Sequence, residues 1–144
     1  AMGAEIEGEG TETIRIQGKL SLHGLEHEIM GDRIEAGTYL AAGFATRGNI
    51  CVEGINPECL ETVLVKFESA GAEITRLKNS IHLRTRNRPQ ATDITTLPYP
   101  GFPTDMQAQF MSVLAIAEGA SVITETIFEN RFMHVPELTR LGAD

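Results

Sequence analysis

The chain has 144 residues and a formal net charge of −8, with 42% apolar and 22% charged residues. This length gives room for one ordinary soluble domain with its own core. The acidic balance argues against a general nucleic-acid binder, because such proteins displace counterions from phosphates with a basic surface. No apolar run approaches the roughly 18 residues of a membrane span, and the N-terminus lacks a signal-peptide pattern. We therefore expect a cytoplasmic protein with no nucleic-acid partner and no membrane partner.

The cysteines and histidines do not form a metal-binding pattern. Cys51 and Cys59 are too far apart for a Cys-x-x-Cys motif, and the four histidines are scattered along the chain. Cys51 lies in a strand-like apolar run, and Cys59 lies in a helical segment. We expect two buried, reduced thiols and no metal site.

The first thirty residues predict short strands. Residues 13–18 alternate apolar and polar side chains and follow a glycine-rich turn, which indicates a hairpin with residues 3–6. The Gly8-x-Gly10 pair has neither a third glycine nor a following helix, so it is a poor phosphate-binding loop. A further strand is expected over residues 26–30.

Two contrasting helices are predicted next. Asp32 and Glu35 form a capping box that opens a helix ending near Arg47. Its body is apolar almost all round, which predicts burial on every side. The helix that begins at Pro57 instead has a single apolar stripe, so it should cover the core from outside. The stripe consists of Leu60, Val63, Leu64, Phe67 and Ala70.

A third helix is predicted over residues 105–118, with Thr104 as N-cap and Gln107 completing a capping box. Asp105 then lies in the first turn. Spacing alone leaves two interpretations of this carboxylate. It either favours the positive end of the helix dipole, or it acts as an acid or base at a cleft beside the adjacent Pro-Gly-Phe-Pro loop.

An internal repeat divides the chain. The intervals 48–71 and 119–142 each hold a strand and a helix, and each follows an apolar helix with a capping box. We interpret residues 1–30 as the closing hairpin of a preceding unit, residues 31–90 as a complete unit and residues 91–144 as a unit without its final hairpin. Repeats bury apolar faces against their neighbours. A chain cut at both ends should therefore associate with itself or with a complementary fragment.

Three sequence runs carry a family resemblance. Residues 97–110 (LPYPGFPTDMQAQF), 124–143 (TETIFENRFMHVPELTRLGA) and 31–43 (GDRIEAGTYLAAG) resemble the enolpyruvyl transferase family, in its branch that acts on UDP-N-acetylglucosamine. The resemblance implies an α/β (α+β) fold, an inside-out α/β barrel of repeated βαβαββ units. It also implies that an intact member is much longer than this chain, with about one and two-thirds units plus a preceding hairpin present here.

The resemblance implies a reaction and its residues. Enolpyruvyl would pass from phosphoenolpyruvate to the 3'-hydroxyl of UDP-N-acetylglucosamine in peptidoglycan synthesis, without a metal or other cofactor. Asp105 matches the family's proton acceptor, Ile127 a contact to the nucleotide sugar and Arg131 an arginine near the anionic substrates. Asp32 and Arg33 match the segment that crosses between the family's two lobes, where helix capping, contact between the lobes and substrate contact all remain open. Without the resemblance, an ion pair between Arg131 and Glu129 or Glu137 would be the preferred interpretation.

The departures from the family pattern limit the expected activity. The family's reactive cysteine loop, its N-terminal Lys-Asn pair and most of its uridine site have no counterpart in this sequence, so we expect no turnover by this chain alone. Two alternatives remain. One is a self-sufficient, non-catalytic assembly or regulatory module with the same repeat. The other is a fragment of the sister enzyme of aromatic biosynthesis, 5-enolpyruvylshikimate-3-phosphate synthase.

Overall fold

The computed structural model describes residues 2–143, and it begins with a hairpin. Strand β1 (Glu5–Glu7) pairs antiparallel with β2 (Arg15–Gln17), so that Ile6 lies opposite Ile16. The predicted hairpin is confirmed. The predicted strand over residues 26–30 is wrong, because residues 18–32 contain no strand and Ile29 is 86% exposed. No neighbouring strand in the described chain offers this segment a partner.

Helix α1 (Arg33–Ala45) begins where the sequence predicted. The Asp32 carboxylate caps it by accepting hydrogen bonds from the backbone N–H groups of Ile34 and Glu35, at 2.7 and 3.2 Å. Leu40 and Phe44 are fully buried, but Tyr39 is 60% exposed. The expectation that α1 is buried on every side is therefore wrong, since its neighbours in residues 2–143 cover only one side of it.

A three-stranded antiparallel sheet follows α1. It contains β3 (Asn49–Glu53), β4 (Glu73–Leu77) and β5 (Ser80–Arg84), with β5 in the centre. Helix α2 (Glu61–Ser69) follows a 3-10 turn at Pro57–Leu60, and its predicted apolar stripe is buried. Cys51 is exposed because alternate residues of β3 face away from the core, and Cys59 is only partly buried. The prediction of two buried thiols is therefore wrong.

The second half repeats part of this order. Strand β6 (Ile94–Thr95) pairs in parallel with β7 (Ile123–Thr124). Between them a 3-10 turn at Thr104–Met106 leads into helix α3 (Gln107–Leu114). This helix ends earlier than predicted, because the N–H groups of Ile116 and Ala117 bond to carbonyls three residues back, in tighter turns than those of an α-helix. Helix α4 (Val135–Arg140) completes the described chain. No helix within residues 2–143 is long and apolar enough to cross a membrane.

Helices α2 and α4 end in the same way, 71 residues apart. After α2, the N–H of Gly71 donates to the Glu68 carbonyl and the N–H of Ala72 donates to the Phe67 carbonyl. After α4, residues 142 and 143 donate to residues 139 and 138 in the same pattern. Gly71 and Gly142 both have φ near +100° (100° and 97°), which suits glycine at this position. These shared bonds support a repeated unit, while the exact division into domains stays a prediction.

One aromatic core joins the two halves. The Phe67 ring lies 5.7 Å from that of Phe44 and 4.8 Å from that of Phe110, which in turn lies 5.5 Å from that of Phe102. Gly37 of α1 allows close approach to the turn before α3, because a Cβ there would lie 2.7 Å from the sulfur of Met106. The core thus fixes the start of α3, where Asp105 is located.

Candidate functional site

A cleft of about 130 Å3 opens at the start of α3. It lies between the proline-rich loop at residues 97–103, the N-terminal end of α1 and the loop that follows β7. Both α1 and the start of α3 are anchored in the aromatic core, so the cleft has rigid walls on two sides. Its lining residues are Arg33, Leu97, Pro98, Tyr99, Gly101, Pro103, Thr104, Asp105 and Ile127.

Asp105 and Arg131 form an ion pair at this cleft. Nη2 of Arg131 donates to Oδ1 of Asp105 at 2.8 Å, and the two side chains are 37% and 55% exposed. Within the described residues Arg131 pairs with this carboxylate and not with Glu129 or Glu137, while Glu137 pairs with Arg140. The pair is accessible to solvent, so both charged groups can meet a ligand without being uncovered first.

Thr104 links the ion pair to a second carboxylate. Its hydroxyl accepts a hydrogen bond from Nη1 of Arg131 at 3.0 Å and donates to Oε2 of Glu125 at 2.8 Å. The predicted capping box of Thr104 and Gln107 is therefore wrong, since no side chain caps the turn at Thr104–Met106. The threonine hydroxyl is already engaged by the loop after β7, which fixes the start of α3 against that loop.

Glu125 organises the loop that carries Ile127 and Arg131. Its Oε1 accepts hydrogen bonds from the Thr96 hydroxyl and the Ile127 N–H, both at 2.8 Å, and from the Phe128 N–H at 3.2 Å. Burial acts to raise the pKa of Glu125, but the hydrogen bonds from Ile127, Thr96, Thr104 and Phe128 together lower it below its usual value. The carboxylate is therefore ionised at neutral pH.

Further contacts hold Arg131 in position. The side-chain amide of Gln107, which is 1% exposed, donates to the Arg131 carbonyl at 3.1 Å. The guanidinium carbon of Arg131 lies 5.3 Å from the centre of the Phe128 ring. Burial, and then the positive charge of Arg131, lower the pKa of His134, so this imidazole is neutral at neutral pH. The guanidinium is thus positioned by its backbone, by an aromatic face and by two oxygen acceptors.

The predicted site residues meet at this cleft, with one exception. Arg33, Asp105 and Ile127 line it, and Arg131 contacts Asp105. The guanidinium of Arg33 lies over the Tyr99 ring, 5.3 Å from its centre. Asp32 does not line the cleft and instead caps α1. Asp32 thus fills the capping role that the sequence left open.

Sequence reasoning missed Thr96, Thr104, Glu125 and Gln107 as parts of the site. The internal repeat contained a signal for one of these four residues, Glu125. Glu125 lies 71 positions after Gly54, and Arg131 lies 71 positions after Leu60. Charged residues that replace a glycine and a buried leucine in a repeated framework indicate a local task other than packing.

The arrangement offers a carboxylate that can accept a proton and a guanidinium that can bind an anion through two donors. Within residues 2–143 no group of three or more histidine, cysteine, aspartate or glutamate side chains is placed to hold a metal ion. The Asp105 carboxylate and the Arg131 guanidinium can supply proton transfer and anion binding.

Comparisons with known proteins place this geometry in a family. The chain is 58% identical over 144 residues to the UDP-N-acetylglucosamine 1-carboxyvinyltransferase of Shewanella halifaxensis and 56% identical to that of Haemophilus ducreyi. Each alignment covers 99% of this chain and 34% of the relative, so the chain spans about a third of their length. It is also similar to the crystal structure of the enolpyruvyl transferase NikO from Streptomyces tendae. The TM-score is 0.84 at 26% identity, over 98% of this chain and 34% of that one.

The family model described as EPSP synthase (3-phosphoshikimate 1-carboxyvinyltransferase) matches residues 1–144. The match covers the whole sequence, and the structural similarity to an enolpyruvyl transferase agrees with it. The predicted α/β fold of an enolpyruvyl transferase is confirmed, while its closure into a barrel stays a prediction. The expected resemblance to the UDP-N-acetylglucosamine branch is confirmed by the identities above. The chain belongs to the EPSP synthase (3-phosphoshikimate 1-carboxyvinyltransferase) family and is a partial chain similar to UDP-N-acetylglucosamine 1-carboxyvinyltransferases.

Proposed function

We propose that this chain forms one side of the active site of a UDP-N-acetylglucosamine enolpyruvyl transferase. In this proposal Asp105 accepts the proton of the sugar 3'-hydroxyl while enolpyruvyl is transferred from phosphoenolpyruvate. The observation that carries the proposal is the Asp105–Arg131 ion pair at the mouth of the cleft, with an Asp105 side chain that is 55% exposed. A proton acceptor beside an anion-binding cation is what a hydroxyl attack on an anionic substrate requires.

Asp105 must act together with the attack on carbon. An alcohol is a very weak acid and a carboxylate is a weak base, so free alkoxide would be prohibitively costly. The proton therefore moves to the carboxylate as the sugar oxygen bonds to the activated, cationic enolpyruvyl carbon. That carbon is cationic because the adjacent methylene of phosphoenolpyruvate has taken up a proton. In the later elimination step a proton leaves the resulting methyl group, the bond from the carbon to the phosphate oxygen breaks, and phosphate is released as the double bond is restored. Asp105 needs to lie within about 3 Å of the hydroxyl for this transfer.

The neighbouring residues have binding roles in this scheme. Arg131 has two guanidinium nitrogens directed towards Thr104 and Asp105, and a planar guanidinium suits a substrate carboxylate or phosphate. Ile127 provides an apolar contact for the nucleotide sugar, since it lines the same cleft. Arg33, whose guanidinium lies over the Tyr99 ring, adds positive charge to the lining of the cleft. Both proposed substrates are anionic, so two arginines offset the acidic balance of the chain locally.

The UDP-N-acetylglucosamine branch is favoured over 5-enolpyruvylshikimate-3-phosphate synthase by the relatives. Identities of 58% and 56% over nearly the whole chain are to proteins of the former name, while the description of the matching family model names EPSP synthase. The proposal includes a role in peptidoglycan synthesis and a cytoplasmic location. It also requires partner residues on the far side of the cleft, so we expect residues 1–144 alone to form no product.

A chimeric enzyme tests the proposal. The matching third of the Shewanella halifaxensis relative is replaced by this chain, and the release of phosphate from phosphoenolpyruvate is measured with UDP-N-acetylglucosamine present. We expect the chimera to turn over and the isolated chain to be inactive under the same conditions. Shikimate 3-phosphate, offered as an alternative acceptor, should give no product.

Two results would overturn the proposal. A chimera that folds, as judged by circular dichroism and a cooperative thermal transition, but forms no product would remove the assigned activity. A chimera that prefers shikimate 3-phosphate would move the chain to the sister enzyme. The unmodified relative, purified in parallel, provides the reference rate for both comparisons.

A further inference from the structure

The Asp105 carboxylate uses only one of its two oxygens within the described chain. Its Oδ1 accepts a hydrogen bond from Nη2 of Arg131 at 2.8 Å, and no donor in residues 2–143 bonds to its Oδ2. The Asp105 side chain is 55% exposed and lines the cleft. Oδ2 is therefore the oxygen that can accept the proton of a bound hydroxyl without first losing another bond.

An arginine beside a carboxylate frequently bonds to both of its oxygens. The planar guanidinium presents two parallel N–H donors that match the two oxygens, and such bidentate pairs are stronger than single hydrogen bonds. Arg131 does not form this arrangement with Asp105, because its other terminal nitrogen, Nη1, donates to the Thr104 hydroxyl at 3.0 Å. Thr104 thus divides the guanidinium between two acceptors.

The Thr104 hydroxyl can accept this bond because its own proton points to Glu125. It donates to Oε2 of Glu125 at 2.8 Å. Burial acts to raise the pKa of Glu125, but the hydrogen bonds to the carboxylate lower it below its usual value, so Glu125 is ionised at neutral pH. An ionised carboxylate only accepts hydrogen bonds and a guanidinium only donates them. The direction of both bonds to the Thr104 hydroxyl is therefore fixed.

Glu125 and Thr104 are themselves held in place. Oε1 of Glu125 accepts a hydrogen bond from the Thr96 hydroxyl, and that hydroxyl accepts one from the Thr126 N–H at 2.9 Å. The Thr96 side chain is 0% exposed. Thr104 begins the turn before α3, and Met106 in the same turn is also 0% exposed. The Thr104 oxygen is therefore anchored to the core on one side and to Glu125 on the other.

We propose that Thr104 is a positioning residue for the transfer reaction: its hydroxyl limits Arg131 to one hydrogen bond with Asp105 and so keeps Oδ2 of that carboxylate available to the sugar hydroxyl. The proton of the hydroxyl passes to Oδ2, and the electron pair left on the sugar oxygen forms the bond to the enolpyruvyl carbon. Thr104 acts through Arg131 and not on the reacting atoms. This role rests on the proposed function, because it concerns the same carboxylate.

Thr104→Val in the chimeric enzyme tests the kinetic consequence. Valine retains the shape of threonine, so a methyl group stays between Arg131 and Glu125, but Nη1 of Arg131 loses its acceptor and should turn to Oδ2 of Asp105. With both oxygens engaged, we expect kcat to fall about tenfold, which is less than the full contribution of a general base. KM for UDP-N-acetylglucosamine should change by less than about twofold, since the other contacts to the nucleotide sugar remain.

Two further variants show whether the hydroxyl is the cause. Thr104→Ser retains the hydroxyl and should restore most of kcat. Thr38→Val is the matched control, because the Thr38 hydroxyl also donates at 2.8 Å, to the Ile34 carbonyl, and accepts at 3.0 Å, from the side-chain amide of Gln109. Thr38 does not line the cleft, so its loss should leave kcat unchanged. An unchanged kcat in Thr104→Val, a change confined to KM, or a Thr104→Ser enzyme as slow as Thr104→Val would overturn the proposal.

Crystal structures of the 144-residue chain test the role of Thr104 independently of turnover. In Thr104→Val we expect two guanidinium nitrogens of Arg131 within about 3 Å of the two Asp105 oxygens, and in Thr104→Ser the single bond of the unmodified chain. An Arg131 that keeps its single bond to Asp105 in Thr104→Val would overturn the positioning role even if the chimera is active. An unmodified chimera that forms no product would overturn the proposed function instead, and the crystal structures would still decide whether Thr104 divides the guanidinium.

Discussion

The two loops that follow β3 and β7 occupy equivalent positions in the repeat but are built for different purposes. In the first loop, residues 54–60, Leu60 is 2% exposed and Asn56 accepts a hydrogen bond from the Glu58 N–H. In the second loop, residues 125–131, the positions of Gly54 and Leu60 are taken by Glu125 and Arg131. One loop closes the core, while the other presents charged groups to solvent. The repeat shows that a packing loop can become a site without a change of framework.

The N-terminal ends of α1 and α3 show the same contrast between local and tertiary contacts. Asp32 caps α1 with two hydrogen bonds, but Pro103 occupies the equivalent position before α3 and no side chain caps the turn there. The next residue, Thr104, is held by Glu125 and Arg131 from the second loop. Local capping in the first unit is thus replaced by a tertiary network in the second. That network fixes the ion pair of Asp105 and Arg131.

The largest expected contrast lies at the equivalent pair Leu60 and Arg131. Leu60→Ala should lower the free energy of unfolding by about 3 kcal/mol, because it leaves a cavity in the core. Arg131→Ala should lower it by less than about 1 kcal/mol, because an exposed ion pair contributes little to stability. Urea denaturation of both variants measures the difference. Equal losses at the two positions would show that the second loop is a packing loop as well.

Removal of the Glu125 carboxylate should have the next largest effect on stability. Glu125→Ala leaves the buried Thr96 hydroxyl and two backbone N–H groups without their acceptor, at a cost of about 2 kcal/mol. Glu129→Ala, at an exposed position in the same loop, is the matched control and should be nearly neutral. Similar denaturation midpoints for the two variants would contradict the organising role of Glu125.

A smaller loss of stability is expected at Asn56, whose side chain accepts a backbone hydrogen bond in the first loop as that of Glu125 does in the second. Asn56→Ala removes the side-chain acceptor for the Glu58 N–H and should cost about 1 kcal/mol. Asn56→Asp retains an acceptor at this position and should restore most of the stability. Thermal unfolding of the three proteins measures both steps, and an aspartate variant as weak as the alanine variant would rule out capping as the cause.

The smallest predicted effect is a dependence on pH. The pKa of Glu125 is lowered in the folded chain, so its contribution to stability is complete above the usual value of 4.5 and is lost as pH falls through the folded pKa. Arg76 also lowers the pKa of Glu68, so acid weakens the chain at more than one place. The stability difference between the unmodified chain and Glu125→Ala should therefore be constant near neutral pH and shrink as the pH falls below the usual value of 4.5. A constant difference would contradict the assignment.

Local patterns predicted much of the fold. The alternation in residues 13–18, the Asp32 cap and the single stripe of α2 depend on side chains close in sequence, and the structure confirms all three. The resemblance named Arg33, Asp105, Ile127 and Arg131, which the structure brings to one cleft or into contact with it. That these residues bind substrate or act in catalysis stays a prediction.

The failed predictions depend on distant neighbours. Thr104 has the sequence of an N-cap, but its partner Glu125 is 21 residues away. Cys51 lies in an apolar run, but which face of β3 is buried depends on the helices packed against that face. The apolar circumference of α1 indicated full burial, although its neighbours in the described chain cover one side. Local spacing cannot decide such cases, because tertiary contacts determine them.

The most direct test of the central claim is the turnover of the chimeric enzyme with Asp105→Asn. Asparagine retains the size of the side chain but cannot accept the hydroxyl proton, so we expect kcat to fall by at least about a hundredfold. Glu35→Gln is the control, because Glu35 is also an acid in the first turn of a helix. A fall in kcat for Asp105→Asn alone would support proton transfer by Asp105. Equal, small changes in both variants would show that Asp105 only favours the helix dipole and would contradict the account.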